Sequence, residues 1–153
     1  MTTAPTIRFA KADDYERWLP LWNGYNRFYG RFDAMALPDA MTRATWQRFF
    51  DSAEPMHALV AEQDGSLIGL VHYLFHRSTT LMNPICYLQD LYTDQSRRGA
   101  GVGRALIEAV YEQARAAGSE RVYWQTHESN AAAMVLYNQV ADRSGFLVYR
   151  KQL

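Results

Sequence analysis

The strongest candidates for a chemical role lie in the second half of the chain. Arg97-Arg98-Gly99-Ala100-Gly101-Val102-Gly103-Arg104 sets three glycines at alternate positions between an apolar run and an amphipathic run. Residues 85–93, before it, read as a buried strand. After it, Val102, Ala105, Leu106, Ala109, Val110 and Ala114 recur at helical spacing. Strand, glycine turn and helix start together make an anion site. The first helical N–H groups lack intrahelical partners, and the helix dipole favours negative charge there. Glycine lets a phosphate approach the main chain with no Cβ in the way. Arg97, Arg98 and Arg104 add positive charge at the same place.

Two common phosphate loops do not fit. A Walker loop needs Gly-x-x-x-x-Gly-Lys-Ser/Thr, but Gly103 is followed by Arg104-Ala105. A dinucleotide fingerprint needs Gly-x-Gly-x-x-Gly, and here the third glycine comes one residue early. Arg-x-x-Gly-x-Gly does fit, with Arg98, Gly101 and Gly103 in place. This stretch resembles the acetyl-CoA pyrophosphate loop of the GNAT family of N-acetyltransferases. The resemblance spans most of residues 6–150 and is specific over residues 85–146. It implies a mixed α/β fold, with a central six- to seven-stranded sheet, splayed fourth and fifth strands and about four flanking helices. It implies one N-acetyltransferase domain over residues 1–153. In that reading the main chain of Arg98, Gly99, Ala100, Gly101, Val102, Gly103 and Arg104 holds the pyrophosphate of acetyl-CoA.

A second block carries the resemblance further. Residues 128–137 read Glu-Ser-Asn-Ala-Ala-Ala-Met-Val-Leu-Tyr, a helix of strong formers capped by Ser129 or Asn130. The family places an asparagine at such a start, bonded to the CoA arm, and a tyrosine two turns later near the CoA sulfur. Asn130 and Tyr137 match both positions. Tyr137 alone would read as a half-buried helix tyrosine; with the glycine loop some thirty residues earlier, a catalytic role is favoured.

The fourth strand, residues 85–93, resembles the Tyr-Leu-Glu-Asp strand of the histone/polyamine acetyltransferase subgroup. By position, Leu91, Tyr92 and Thr93 supply main-chain contacts to the pantetheine arm. An N–H near Leu91 would stabilise the charge developing on the thioester oxygen. Gln89 stands where the polyamine enzymes have a glutamate base, and glutamine cannot accept a proton at neutral pH. The role then passes to Asp90, to a water chain, or to nothing. Asp90 could equally hold a cationic substrate or be a structural carboxylate. His127 and Glu128 are reserves for base or substrate contact, or plain loop surface.

Composition bounds the remainder. The 153 residues are enough for one domain with a useful core. Hydrophobic residues make up 48% and charged residues 21%, as in a globular protein. Sixteen basic and sixteen acidic residues cancel, so no electrostatic case exists for nucleic acid or an anionic membrane. No apolar run approaches the roughly 20 residues that span a bilayer. Residues 1–5 are short and polar, unlike a signal peptide. Cys86 is the only cysteine, so no internal disulfide forms, and a cytoplasmic location is expected. His57, His72 and His76 lack ligand-like spacing. No metal site is expected, only satisfied or exposed strand histidines.

The earlier elements follow from patterning. Residues 6–10 alternate as a first strand. A helix capped by Asp13 or Asp14 runs to about Tyr29, with Pro20 leaving its start uncertain. Trp18, Trp22, Tyr25 and Tyr29 share one face. Core packing accounts for Trp18 and Trp22; Tyr25, Phe28 or Tyr29 walling an acceptor pocket is the alternative. Thr42 or Thr45 begins a second helix. Residues 57–62 and 66–76 form a hairpin about Asp64-Gly65. The helix from Val102 or Gly103 ends at Ala117, with Gly118 as its C-cap. Residues 121–126 form a fifth strand, parallel to the fourth. After Val140 only one terminal strand fits, residues 145–150. The sheet edge this leaves open invites pairing with another chain, and a homodimer is expected.

The chemistry implied is direct attack of a small-molecule amine, of polyamine or amino acid type, on acetyl-CoA in a ternary complex. Tyr137 would protonate the departing thiolate, and Asp90 or a water would deprotonate the amine. A protein lysine or N-terminus is the alternative acceptor. A non-catalytic acyl-CoA sensor is the alternative class.

Overall fold

The computed structural model describes residues 3–153. Its elements in chain order are β1 (Thr6–Phe9), α1 (Tyr15–Phe28), α2 (Asp39–Arg48), β2 (Met56–Gln63), β3 (Ser66–His76), β4 (Ile85–Thr93), α3 (Val102–Ala116), β5 (Val122–Tyr123) and α4 (Ala131–Val140). The strands lie in the order β1-β2-β3-β4-β5. Neighbours are antiparallel up to β4, and β5 joins parallel to β4 through α3. Asp64 and Gly65 both have positive φ, which matches the tight turn that the right-handed strand twist favours.

Each face of the sheet has its own core. On one face Leu59, Ala61, Val71, Tyr73, Cys86 and Leu88 meet Leu106, Ile107 and Val110 of α3. On the other, Leu70 meets Trp18, Leu21, Trp22 and Tyr25 of α1 and Trp46 of α2. Alternating side chains along β3 supply both faces. α1 runs through Pro20 although the ring removes a helical N–H. Its apolar face compensates: Trp18 is fully buried and stacks on Trp22 at 5.5 Å.

Several boundaries differ from the sequence reading. Asp14 stands at the N-cap of α1 but does not cap it. Its buried carboxylate instead takes Arg8 at 2.7 Å, Arg17 at 2.5 Å and the Lys11 N–H at 2.8 Å. α2 starts at Asp39, before either threonine, because Pro38 enters it with φ already near the helical value. β5 keeps only two of its six expected residues. Its ladder with β4 ends at Tyr87↔Tyr123, and no strand among the described residues lies on its other side.

Among the described residues the sheet therefore has five strands, not six or seven. The expected strand at residues 145–150 does not form. A strand needs a partner for its main-chain groups, and β5 is too short to offer one. Phe146 and Tyr149 are left about 90% and 92% exposed. Among the described residues, no helix is long and apolar enough to cross a membrane.

Candidate active site

The glycine loop forms the left-handed turns its residues allow. Gly99 and Gly101 both have φ near +82°, where an L side chain is strained. Gly101 is the N-cap of α3. The N–H groups of Val102, Gly103 and Arg104 find no acceptor among the described residues. They stand at the positive end of a fifteen-residue helix. Gly103 has no positive φ, and a Cβ there would make only ordinary contact with Leu136 of α4 at 3.4 Å.

The arginine side chains do not crowd this turn. Arg97 donates to Gln63 Oε1 at 2.6 Å, and Arg104 bonds Gln139 on α4. Arg98 folds back on β4, donating to the Thr93 carbonyl at 3.2 Å with its guanidinium over the Tyr92 ring. An anion at the loop meets main chain first. A larger open groove of about 540 Å³ runs along the outer flank of α3, lined by Glu108, Glu112, Arg115 and Gln139. Of the expected site residues it touches only Arg104.

Beyond Tyr123 the chain leaves β4, and a cleft opens between them. Leu88, Gln89 and Leu91 of β4 line it with Trp124, Gln125 and Tyr137, and Tyr25 and Tyr29 close it from α1. It is narrow, with a free volume of about 20 Å³. Tyr137 packs edge-on against Trp124 at 5.4 Å. Burial pushes its hydroxyl above the ordinary tyrosine value, so it carries its proton throughout the neutral range. Tyr25 and Tyr29 wall the cleft as the aromatic alternative allowed; Phe28 is exposed and outside it.

A bulge in β4 decides which side Asp90 takes. His72 pairs with Asp90, but the next residue, Tyr73, pairs with Leu88, so Gln89 is the extra residue. Strict alternation would place Asp90 with Cys86 and Leu88 under α3. The bulge turns it to the α1 face. There it is 8% exposed, beside Tyr25, whose hydroxyl is pushed far up by burial and then by the Asp90 charge. His72 Nδ1 lies 2.9 Å from Asp90 Oδ2. Gln89 faces the cleft.

Other expected residues stand apart from these. The Asn130 side chain does not cap α4; its Nδ2 donates to Thr126 Oγ1 at 3.0 Å, bracing the turn beyond β5. His127 bonds Ser129 Oγ in the exposed turn, and neither it nor Glu128 lines the cleft. The Tyr92 ring lies against α1, where a Cβ on Gly24 would clash with its hydroxyl at 2.5 Å. His57 stacks on Tyr73, and His76 bonds the Tyr123 hydroxyl. Among the described residues, no group of three or more His, Cys, Asp or Glu could hold a metal ion.

The sequence profile of the acetyltransferase (GNAT) family matches residues 15–141. The chain belongs to this family. The acetyltransferase is 32% identical over 147 residues to the D-amino-acid N-acetyltransferase HPA3 of Saccharomyces cerevisiae (strain ATCC 204508 / S288c), covering 95% of this chain and 89% of that one. It is 30% identical over 145 residues to the uncharacterized N-acetyltransferase YhfO of Bacillus subtilis (strain 168), covering 94% of each. Among solved structures, the aminoglycoside N-acetyltransferase AAC(6')-Iy in complex with CoA superposes with a TM-score of 0.82. That match covers 99% of this chain and 96% of the other at 18% identity, a likeness of fold. The enzyme transfers acetyl groups.

Three residues near the site were not legible in the motifs. His72 left one trace, a lone polar residue in the apolar run Leu70-Val71-His72-Tyr73-Leu74. Gln125 left none. Arg31 sits in a loop after α1, donating Nε to Asn26 Oδ1 at 2.7 Å. Its guanidinium stands 5.7 Å from the Tyr25 ring centre and 5.2 Å from that of Tyr29. The Trp22 indole N–H, beside Tyr25, is buried with no acceptor among the described residues.

Proposed function

We propose that this N-acetyltransferase moves the acetyl group of acetyl-CoA to a small amine of amino acid type, by direct attack in a ternary complex. The observation that carries the reading is the bulge. It puts the Asp90 carboxylate on the α1 side of β4, while the Tyr137 hydroxyl stands in the cleft beyond. Acetyl-CoA lies with its pyrophosphate on the N–H groups from Arg98 to Arg104. Its pantetheine arm follows Leu91, Tyr92 and Thr93, whose outer main-chain edge has no strand beside it among the described residues. Asn130 braces the far wall. The amine enters from the α1 side and loses its proton to Asp90, directly or through water. An alkyl ammonium has an ordinary pKa near 10.4, so this step is required. The amine attacks the thioester carbon, the tetrahedral intermediate gives up its second nitrogen proton to water, and the C–S bond breaks to expel the thiolate. Tyr137 then supplies the proton. Holding both reactants together provides much of the rate gain.

Arg31 favours an amino acid over a polyamine. A guanidinium beside Tyr25 and Tyr29 repels a polycation and pairs with a carboxylate. The relative named as a D-amino-acid N-acetyltransferase supports the same choice. Thiol release measured over a panel of amines tests it. Amino acids are expected to turn over, and Arg31→Gln to raise their KM about tenfold, the size of one charge-assisted hydrogen bond. Turnover with polyamines or lysine-bearing peptides alone would overturn the acceptor class. CoA binding without turnover by any amine would favour the sensor.

The protein acts in this reading as one cytoplasmic domain that pairs with a second copy. The exposed apolar residues 146–149, beyond a two-residue β5, support that pairing. A monodisperse monomer in sedimentation at micromolar concentration would remove it.

A further inference from the structure

His72 bonds at both ring nitrogens inside a shell of aromatic rings. It is 3% exposed. The rings of Phe49, Trp22 and Trp18 stand at 4.5, 5.2 and 5.8 Å from its own. None of them offers a hydrogen-bond acceptor. The Trp18 indole Nε1 lies 3.1 Å from His72 Nε2. An indole N–H can only donate. Nε2 must therefore present its lone pair, and the single ring proton sits on Nδ1. That N–H points at Asp90 Oδ2, 2.9 Å away. The pair is a neutral donor on a carboxylate, not an ion pair.

From this geometry we propose that His72 is a positioning residue for acetyl transfer, its ring locked by Trp18 as the Nδ1–H tautomer that holds one oxygen of Asp90 in place. The proposal rests on the reading of Asp90 as the base. The His72 N–H bonds one oxygen of Asp90, and the Tyr25 hydroxyl stands beside the same carboxylate on the α1 side. Trp18 also ends the chain of hydrogen bonds. An indole does not surrender its proton at neutral pH, so His72 cannot carry one away. The proton taken by Asp90 leaves by the acceptor side.

Two measurements test this. The first is the ¹⁵N spectrum of the imidazole nitrogens at neutral pH, with His72 assigned by the signal missing in His72→Gln. It is expected to show Nδ1 protonated and Nε2 bare. An Nε2–H ring or an imidazolium overturns the proposal. The second is steady-state thiol release on the intact enzyme. His72→Phe is expected to lower kcat about tenfold to a hundredfold, the range of a slightly misplaced catalytic group. The KM for acetyl-CoA should stay as it is. His72→Gln, whose amide can still donate to Asp90, is expected to recover most of the loss. If His72→Phe does not fold, Trp18→Phe reads the same link. It should lose the single tautomer and part of kcat, and an unchanged tautomer and kcat overturn the lock. Full turnover in Asp90→Asn overturns the base reading and the positioning role with it. Turnover lost in Asp90→Asn but intact in a folded His72→Phe overturns the positioning role alone.

Discussion

On the α3 side of β4 the groups on offer are main chain: two left-handed glycines and the open N–H groups that begin α3. On the α1 side they are side chains: Asp90 on His72, Tyr25 between Asp90 and Arg31, and a wall of tryptophans behind them. The first side tolerates change in side chain but not in backbone. The second has ordinary backbone except at one bulge, and its fit depends on which residues that bulge turns inward. Main-chain recognition suits a carrier common to a whole family. Side-chain recognition can be altered for each acceptor.

Substitutions on the two sides should therefore separate into turnover and carrier affinity. Asp90→Asn should have the largest effect, lowering kcat by about 10²- to 10⁴-fold, the range of general-base catalysis. Its KM for acetyl-CoA should not change. Tyr137→Phe comes next, with turnover down about 10²-fold and CoA affinity by calorimetry intact. Because burial raises the Tyr137 hydroxyl, any alkaline loss of activity from its ionisation should lie above the ordinary value near 10. A loss centred near neutrality would assign the acid elsewhere.

Gly101→Ala should act on the other side. Its φ of +82° costs an L residue about 1–2 kcal/mol. Acetyl-CoA binding should weaken roughly tenfold, with kcat at saturation preserved. If kcat fell instead, the two sides would not be separable in this way.

The smallest effect on turnover is expected at Asp14, which belongs to neither side. Arg8 above all, with the Lys11 N–H and Arg17, holds its carboxyl well below the usual carboxylate range. A group depressed in the folded state stabilises above its unfolded value, about 3.9, and loses that contribution as pH falls below it. Thermal melts should therefore show Tm dropping below about pH 4. Asp14→Asn should flatten that drop from a lower starting Tm, while kcat at neutral pH stays unchanged. An unaltered acid profile in the variant would assign the acid sensitivity to other carboxylates.

The contrast between the sides explains what could be read in advance. The glycine loop, α3, the β2–β3 hairpin and Tyr137 depend on local spacing, and local spacing is visible in a sequence. Asp90 was legible as a candidate but not its direction, because one extra residue in a strand reverses every side chain after it. His72 and Arg31 could not be matched to Asp90 and Tyr25, because those contacts join distant parts of the chain. The strand at residues 145–150 carries strand-like residues, yet strand formation depends on a partner as well as on composition.

By itself, then, the order of residues determined the sheet-and-helix succession up to α4, the glycine turn before α3 and the family. All of these follow from short-range periodicity and the conformational freedom of glycine. The tertiary structure alone decided that Asp90 faces α1, that His72 and Trp18 stand behind it, and that β5 parts from β4 after two residues. Each is a matter of register or long-range packing, set by what the whole core can bury.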